Sequence, residues 1–222
     1  LYYKVLFMTE QNQHLDALHD IKRMMQRSSR FISLSGLSGI AAGICALAGA
    51  WFANNWLQDY HRAYEQRGYS GVAFRDLEMN LILLAMAVAG LAFLSALYFT
   101  WRRAGRHKVP LWNHTSRQLL WNTAVPIIAG GFFLLIMLLQ YNEWRLIGPG
   151  CLIFYGLALV NGSKYTVSDI RYLGYCEIIL GLVSTQYPKH SLEFWTAGFG
   201  ILHIIYGFLM WWKYERKTAD VS

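Results

Sequence analysis

Apolar residues run along this chain in long stretches, not in the alternation of a half-buried strand or the single stripe of a surface helix. Six stretches, at about 31–53, 80–101, 118–140, 146–162, 170–186 and 192–212, predict an all-α, polytopic transmembrane bundle of six spans. Most are near the ~20 residues that cross ~30 Å of hydrocarbon. The fourth and fifth are the shortest, and a re-entrant hairpin is the alternative to two true spans there. Ahead of the first span, Leu15, Leu18, Ile21 and Met25 recur at helical spacing beside Lys22, Arg23, Arg27 and Arg30. That pattern predicts a basic amphipathic helix lying on anionic lipid, with a solvated helix leading into the first span as the alternative. The longest outside loop, about 54–79, carries Trp56, Tyr60 and Tyr64 on one stripe and predicts a short surface helix, with a ligand lid as its functional alternative. The chain thus divides into an amphipathic basic cytoplasmic segment at 8–30, a six-span domain at 31–213 and a cytoplasmic tail at 214–222. Met8 reads as a natural start, and no cleavable signal peptide is evident.

Composition strengthens this reading. Residues are 55% hydrophobic and only 15% charged, against roughly 25% charged in soluble domains, which leaves no segment able to form a separate soluble core. The net charge of +7 is dispersed in short clusters flanking the spans, so it speaks for membrane topology and against nucleic acid. With both termini inside, Lys22, Arg23, Arg27, Arg30, Arg102, Arg103, Arg106, Lys108, Arg117, Lys164, Arg171, Lys213, Arg216 and Lys217 face the cytoplasm, fourteen in all. Outside stand five, Arg62, Arg67, Arg75, Arg145 and Lys189. The positive-inside rule then predicts that the N- and C-termini are cytoplasmic. Trp51, Trp56, Trp101, Trp112, Trp144, Trp195, Trp211 and Trp212 fall at or near span ends, where indole rings anchor at the interface. Cys45, Cys151 and Cys176 lie within apolar segments without CxxC spacing and read as packing residues, not as disulfide or zinc partners.

At an offset of 51 residues the chain matches itself: Ile127, Ile128 and Gly130 pair with Ile178, Ile179 and Gly181, Trp144 with Trp195, and Ile153, Tyr155 and Gly156 with Ile204, Tyr206 and Gly207. These seven identities over positions 127–156 predict that spans three and four repeat as spans five and six. Around Ile179-Leu180-Gly181-Leu182, Pro188, Phe194, Gly200-Ile201-Leu202 and Ile205-Tyr206-Gly207 the chain resembles the HdeD-like acid-resistance membrane proteins. That resemblance covers about a quarter of the chain. It implies a six-span inner-membrane bundle of three hairpin repeats without an established catalytic centre. The basic N-terminal segment and the long first outside loop lie outside it.

Few residues carry chemistry. Ser35, Gly39 and Gly43, four apart, form a small-residue stripe for close helix packing within the chain, or alternatively for a homo-oligomer face. Gly156, Gly181 and Gly207 are predicted helix-crossing positions. Pro126 and Pro149 are expected to kink or begin helices. Lys164, in the turn before the fifth span, is a candidate lipid-headgroup contact, and Ser168 or Asp169 a candidate cap for the helix that follows. Asn122 and Asn161 are expected to be hydrated or to bond between helices.

Glu177 and His203 are the ionisable residues clearly inside spans, where burial is costly without a partner. They lie about seven and nine residues from the cytoplasmic ends of adjacent antiparallel spans, within ~3 Å of one depth at ~1.5 Å per residue. Each is on a small-residue stripe, so the two are predicted to meet, as a structural hydrogen bond or as a proton-bearing pair. His203 has no second intramembrane histidine for haem, and no cofactor, metal or nucleophile motif is indicated. Function narrows to a class: a non-enzymatic small transport or channel-like bundle, which predicts a polar cavity reaching Glu177. The alternative is a membrane-embedded sensor, regulator or assembly factor with a membrane-protein partner, which predicts a packed bundle.

Overall fold

The computed structural model describes residues 35–106 and 112–216. The predicted amphipathic segment 8–30, Lys108 and the end of the tail from Lys217 lie outside the described residues. Among those described, every regular element is helical. In chain order they are α1 (Gly36–Arg67), α2 (Gly71–Arg106), α3 (His114–Tyr141), α4 (Ile147–Gly162) and α5 (Ile170–Ser184). A last continuous helix follows, made of α6 (Ser191–Trp195), a π-helical stretch (Thr196–Leu202), α7 (His203–Trp211) and a second π-helical stretch (Trp212–Arg216).

Among the described residues, five helices are long and apolar enough to cross a membrane: Gly36–Arg67, Gly71–Gly105, His114–Tyr141, Trp144–Gly162 and Pro188–Tyr214. The predicted fifth span is the exception, because α5 has 15 residues and so reaches only about 22 Å at 1.5 Å per residue. Leu91, Phe93 and Leu94 on α2 and Phe132 and Leu139 on α3 are all well exposed. A contiguous apolar surface of that kind suits lipid, not water, as in a multi-pass membrane protein.

The first outside loop departs from its expected form. Its helix is not separate: α1 runs on without interruption through Trp56, Tyr60 and Tyr64 to Arg67, well past the predicted span end at 53. The turn comes at Gly68, whose φ of 78° favours a residue without Cβ. Tyr60 meets Phe74 of α2 at 6.0 Å, and Phe74 meets Trp144 at 6.5 Å, so aromatic contacts tie α1 and α2 to the turn between α3 and α4. At its other end the chain enters α3 through a capping box. Asn113 Oδ1 accepts from the Ser116 N–H at 2.7 Å, and the Asn113 N–H donates to Ser116 Oγ at 2.9 Å.

Two glycine-lined crossings hold the bundle. In one, α1 packs on the last helix: a Cβ at Gly39 would lie 3.2 Å from Gly207 Cα, and one at Gly43 would lie 2.7 Å from the Gly200 carbonyl. The stripe begun at Ser35 therefore serves packing within the chain at Gly39 and Gly43. In the other crossing α4 packs on α5, with Gly156 against the Gly174 carbonyl and Gly181 against Pro149 and Ile153. The glycines equated by the 51-residue offset all lie at helix contacts but against different neighbours, Gly156 facing α5 and Gly207 facing α1. A Cβ at Gly207 would come within 2.6 Å of the Gly36 oxygen and the Ile40 nitrogen, backbone atoms that no rotamer change can move aside. Gly207→Ala is therefore expected to cost about 1–2 kcal/mol by overpacking, read as a lower midpoint in denaturant or thermal unfolding in detergent.

Asp169 does not cap α5 as expected; its side chain makes no capping bond. It instead accepts hydrogen bonds from Lys213 Nζ at 2.6 Å and from Tyr214 OH at 3.1 Å, fastening the α4–α5 turn to the end of the last helix. The Lys213 hydrogen bond holds the Asp169 carboxyl below the usual carboxylate range, against partial desolvation that acts the other way. A depressed acid contributes its full stability above its unfolded pKa of about 3.9 and loses it as pH falls through the lower folded value. Asp169→Asn is expected to cause a small loss of thermal stability at pH 7, because the pair is partly solvated. That difference should vanish in strong acid, as thermal melts across pH would show.

Candidate functional site

The last helix owes its local shape to the run Thr196-Ala-Gly-Phe-Gly-Ile-Leu202, which winds as a π-helix. Such wider turns are uncommon and occur often at functional sites. At its end the His203 backbone N–H bonds the Gly200 carbonyl. The Gly198 carbonyl, five residues back, is met by the His203 side chain, with Nδ1 at 3.0 Å. A carbonyl oxygen only accepts, so Nδ1 carries the hydrogen. Nδ1 also lies 3.3 Å from Glu177 Oε1 of α5. Gly198 makes room for this approach, since a Cβ there would stand 2.5 Å from Glu177 Oε2.

Glu177 is 0% exposed and His203 5%. Beyond the imidazole, neither carboxyl oxygen has a hydrogen-bond partner among the described residues. On its far side the ring meets Tyr155 of α4, whose OH lies 2.9 Å from Nε2. With a neutral ring that hydroxyl donates to Nε2; with a charged ring Nε2–H donates to the phenol oxygen. Phe199 stacks on the imidazole with centroids 5.8 Å apart, and Tyr155 flanks it at 5.4 Å. Three helices thus fix one ring between a carboxyl, a backbone carbonyl and a phenol.

The electrostatics follow from burial. A lone carboxylate or imidazolium here would bear a desolvation penalty of several kcal/mol. Two arrangements avoid a net charge: both groups neutral, or carboxylate beside imidazolium. They differ by where one proton resides, on the carboxyl in the first and on Nε2, facing the Tyr155 hydroxyl, in the second, since Nδ1 bears its hydrogen in both.

Beside this cluster is a cavity of about 630 Å³ whose side walls are α2 (Leu97, Trp101) and α3 (Leu119, Leu120), with α1, α4 and α7 behind. The wall helices barely touch each other: α2 packs on α1, and α3 on α4. The rim is open, with Leu97, Trp101, Trp112 and Leu120 each half exposed or more. Tyr155, His203 and Tyr206 line it, while Glu177 does not. The expected polar cavity reaching Glu177 is thus absent among the described residues; the space is mainly apolar and stops at the imidazole, with the carboxyl sealed behind.

The structure brings together Glu177 and His203. Lys164 stands apart from them, exposed, its Nζ bonding Asn161 Oδ1 at 3.1 Å. Asn161 Nδ2 in turn donates to the Asn122 carbonyl at 2.8 Å, a bond between α4 and α3. Sequence reasoning missed Tyr155, Gly198, Phe199 and Tyr206 as site residues. The offset of 51 did mark Tyr155 and Tyr206 as equivalent, and both line the cavity. Comparison with family models, with curated proteins and with solved structures finds no match to the chain.

Proposed function

We propose that this chain is a non-enzymatic, proton-linked transport bundle of the bacterial cytoplasmic membrane, with six spans and both termini cytoplasmic. The observation that carries the reading is the fully buried Glu177–His203 contact, reached from a membrane-side cavity through Tyr155 and His203. Ionisable groups held at such depth are characteristic of proton relays and transport pathways. The cavity favours transport over a packed sensor or assembly factor, because it gives a cargo access to the imidazole. On this reading α5 crosses with its short helix plus flanking turns in a locally thinned bilayer.

The test is proton flux in vesicles of total bacterial membrane lipid, which supplies any lipid-phase cargo, with a trapped pH dye and an imposed potassium diffusion potential. Wild type should move protons faster than empty vesicles, and Glu177→Gln and His203→Gln should not. Equal rates for wild type, both variants and empty vesicles contradict the proposal. Orientation is checked separately with cysteines placed at Lys213 and Tyr69. An impermeant reagent outside intact cells should label only the second.

A further inference from the structure

We infer that the cavity between α2 and α3 binds an uncharged lipid whose head presents a carbonyl or hydroxyl oxygen, and that Tyr206 is its hydrogen-bond partner. This deepens the transport reading by naming the class of cargo, and it rests on that reading only for the cargo's movement. The size fits: about 630 Å³ lies within the roughly 300–1,000 Å³ of ordinary small-molecule sites.

Charge selects the class. Among the described residues no Asp, Glu, Lys or Arg lines the space, so a phosphate or carboxylate head would enter without a counter-charge, at prohibitive desolvation cost. The open rim and exposed apolar side chains admit a tail from the bilayer.

One polar atom in the wall is unsatisfied. Tyr206 OH is buried and has no hydrogen-bond partner among the described residues. An unpaired buried hydroxyl is a standing cost that a ligand oxygen relieves. Tyr206 follows His203 by about one turn of the same helix, so a head bound to its hydroxyl lies beside the Tyr155–His203 hydrogen bond. Two other polar wall groups are already engaged, Thr123 Oγ1 with the Leu119 carbonyl at 2.8 Å and Tyr155 OH with His203.

The experiment uses the purified full chain in phosphatidylcholine nanodiscs, with saturable binding of two radiolabelled probes, a short-tailed quinone and dioctanoylglycerol. The first offers ring carbonyls and the second a free hydroxyl with ester carbonyls, so their relative affinities identify the source of the oxygen. At least one probe should bind saturably. Tyr206→Phe, which removes only the hydroxyl, should weaken it about tenfold, the equivalent of ~1.4 kcal/mol. Ala96→Phe, which fills the cavity from α2, should abolish binding while thermal stability in the nanodisc is kept. Absence of saturable binding by both probes overturns the inference, as does unchanged affinity in Tyr206→Phe. Equal competition by phosphatidylglycerol also overturns it, because any acyl chain would then suffice. Binding that meets these conditions in a protein without proton flux leaves the ligand site standing and removes the transport reading. Flux without probe binding does the reverse.

Discussion

Replacing His203 by Ala is expected to destabilise the bundle by about 3–5 kcal/mol, the largest effect of any single substitution considered for this chain. The cause is what remains: Glu177 is 0% exposed and, among the described residues, has no hydrogen-bond partner apart from the imidazole beside it. Removing the ring also leaves the Gly198 carbonyl and the Tyr155 hydroxyl without the partners they hold at 3.0 Å and 2.9 Å. The same logic makes the double replacement less harmful than the single one, because apolar residues of similar volume can substitute for a buried pair at little net cost. Glu177→Leu combined with His203→Leu should therefore recover much of the stability lost in His203→Ala. Denaturant titration of the two variants in matched detergent decides the point, and an equal or larger loss in the double variant would show that the contact is not what the single variant destroys.

The second large effect is expected at Gly198. A Cβ there would come within 2.5 Å of Glu177 Oε2 and would also press on Leu152. Both neighbours are completely buried and have nowhere to swing. Gly198→Val should therefore cost about 3 kcal/mol, at the upper end of the overpacking range, and should displace the carboxyl from the ring. Gly105→Val is the control, because a Cβ at Gly105 meets nothing within 4 Å among the described residues; it should leave the unfolding midpoint nearly unchanged.

Much of this architecture was legible in the sequence because hydrocarbon imposes a length and an apolar composition that survive any detail of packing. The approach of Glu177 to His203 was legible for a related reason: depth along a helix is arithmetic, and small-residue stripes mark faces that meet another helix. Other features depend on tertiary circumstances that no local pattern records. The continuation of α1 through Tyr60 and Tyr64 is one, since a polar stretch beyond the hydrocarbon can stay helical without a turn signal until Gly68. Asp169 is another: its position suggested a cap, and the Lys213 ammonium 44 residues away captured it instead. The π-helical turn at Thr196–Leu202 left only its glycines as a trace, and the phenol of Tyr155 was visible as a repeat position but not as a partner of His203.

One imidazole holds a proton on Nδ1 between the Gly198 carbonyl and the Glu177 carboxyl. Nitrogen NMR of ¹⁵N-histidine-labelled protein in lipid tests it most directly, with the His203 signals assigned by their loss in His203→Gln. Nδ1 is expected to be proton-bearing at neutral pH, and its resonance to shift when Glu177 is replaced by Gln. A bare Nδ1 with the hydrogen on Nε2 alone, or a His203 spectrum indifferent to Glu177→Gln, would contradict it.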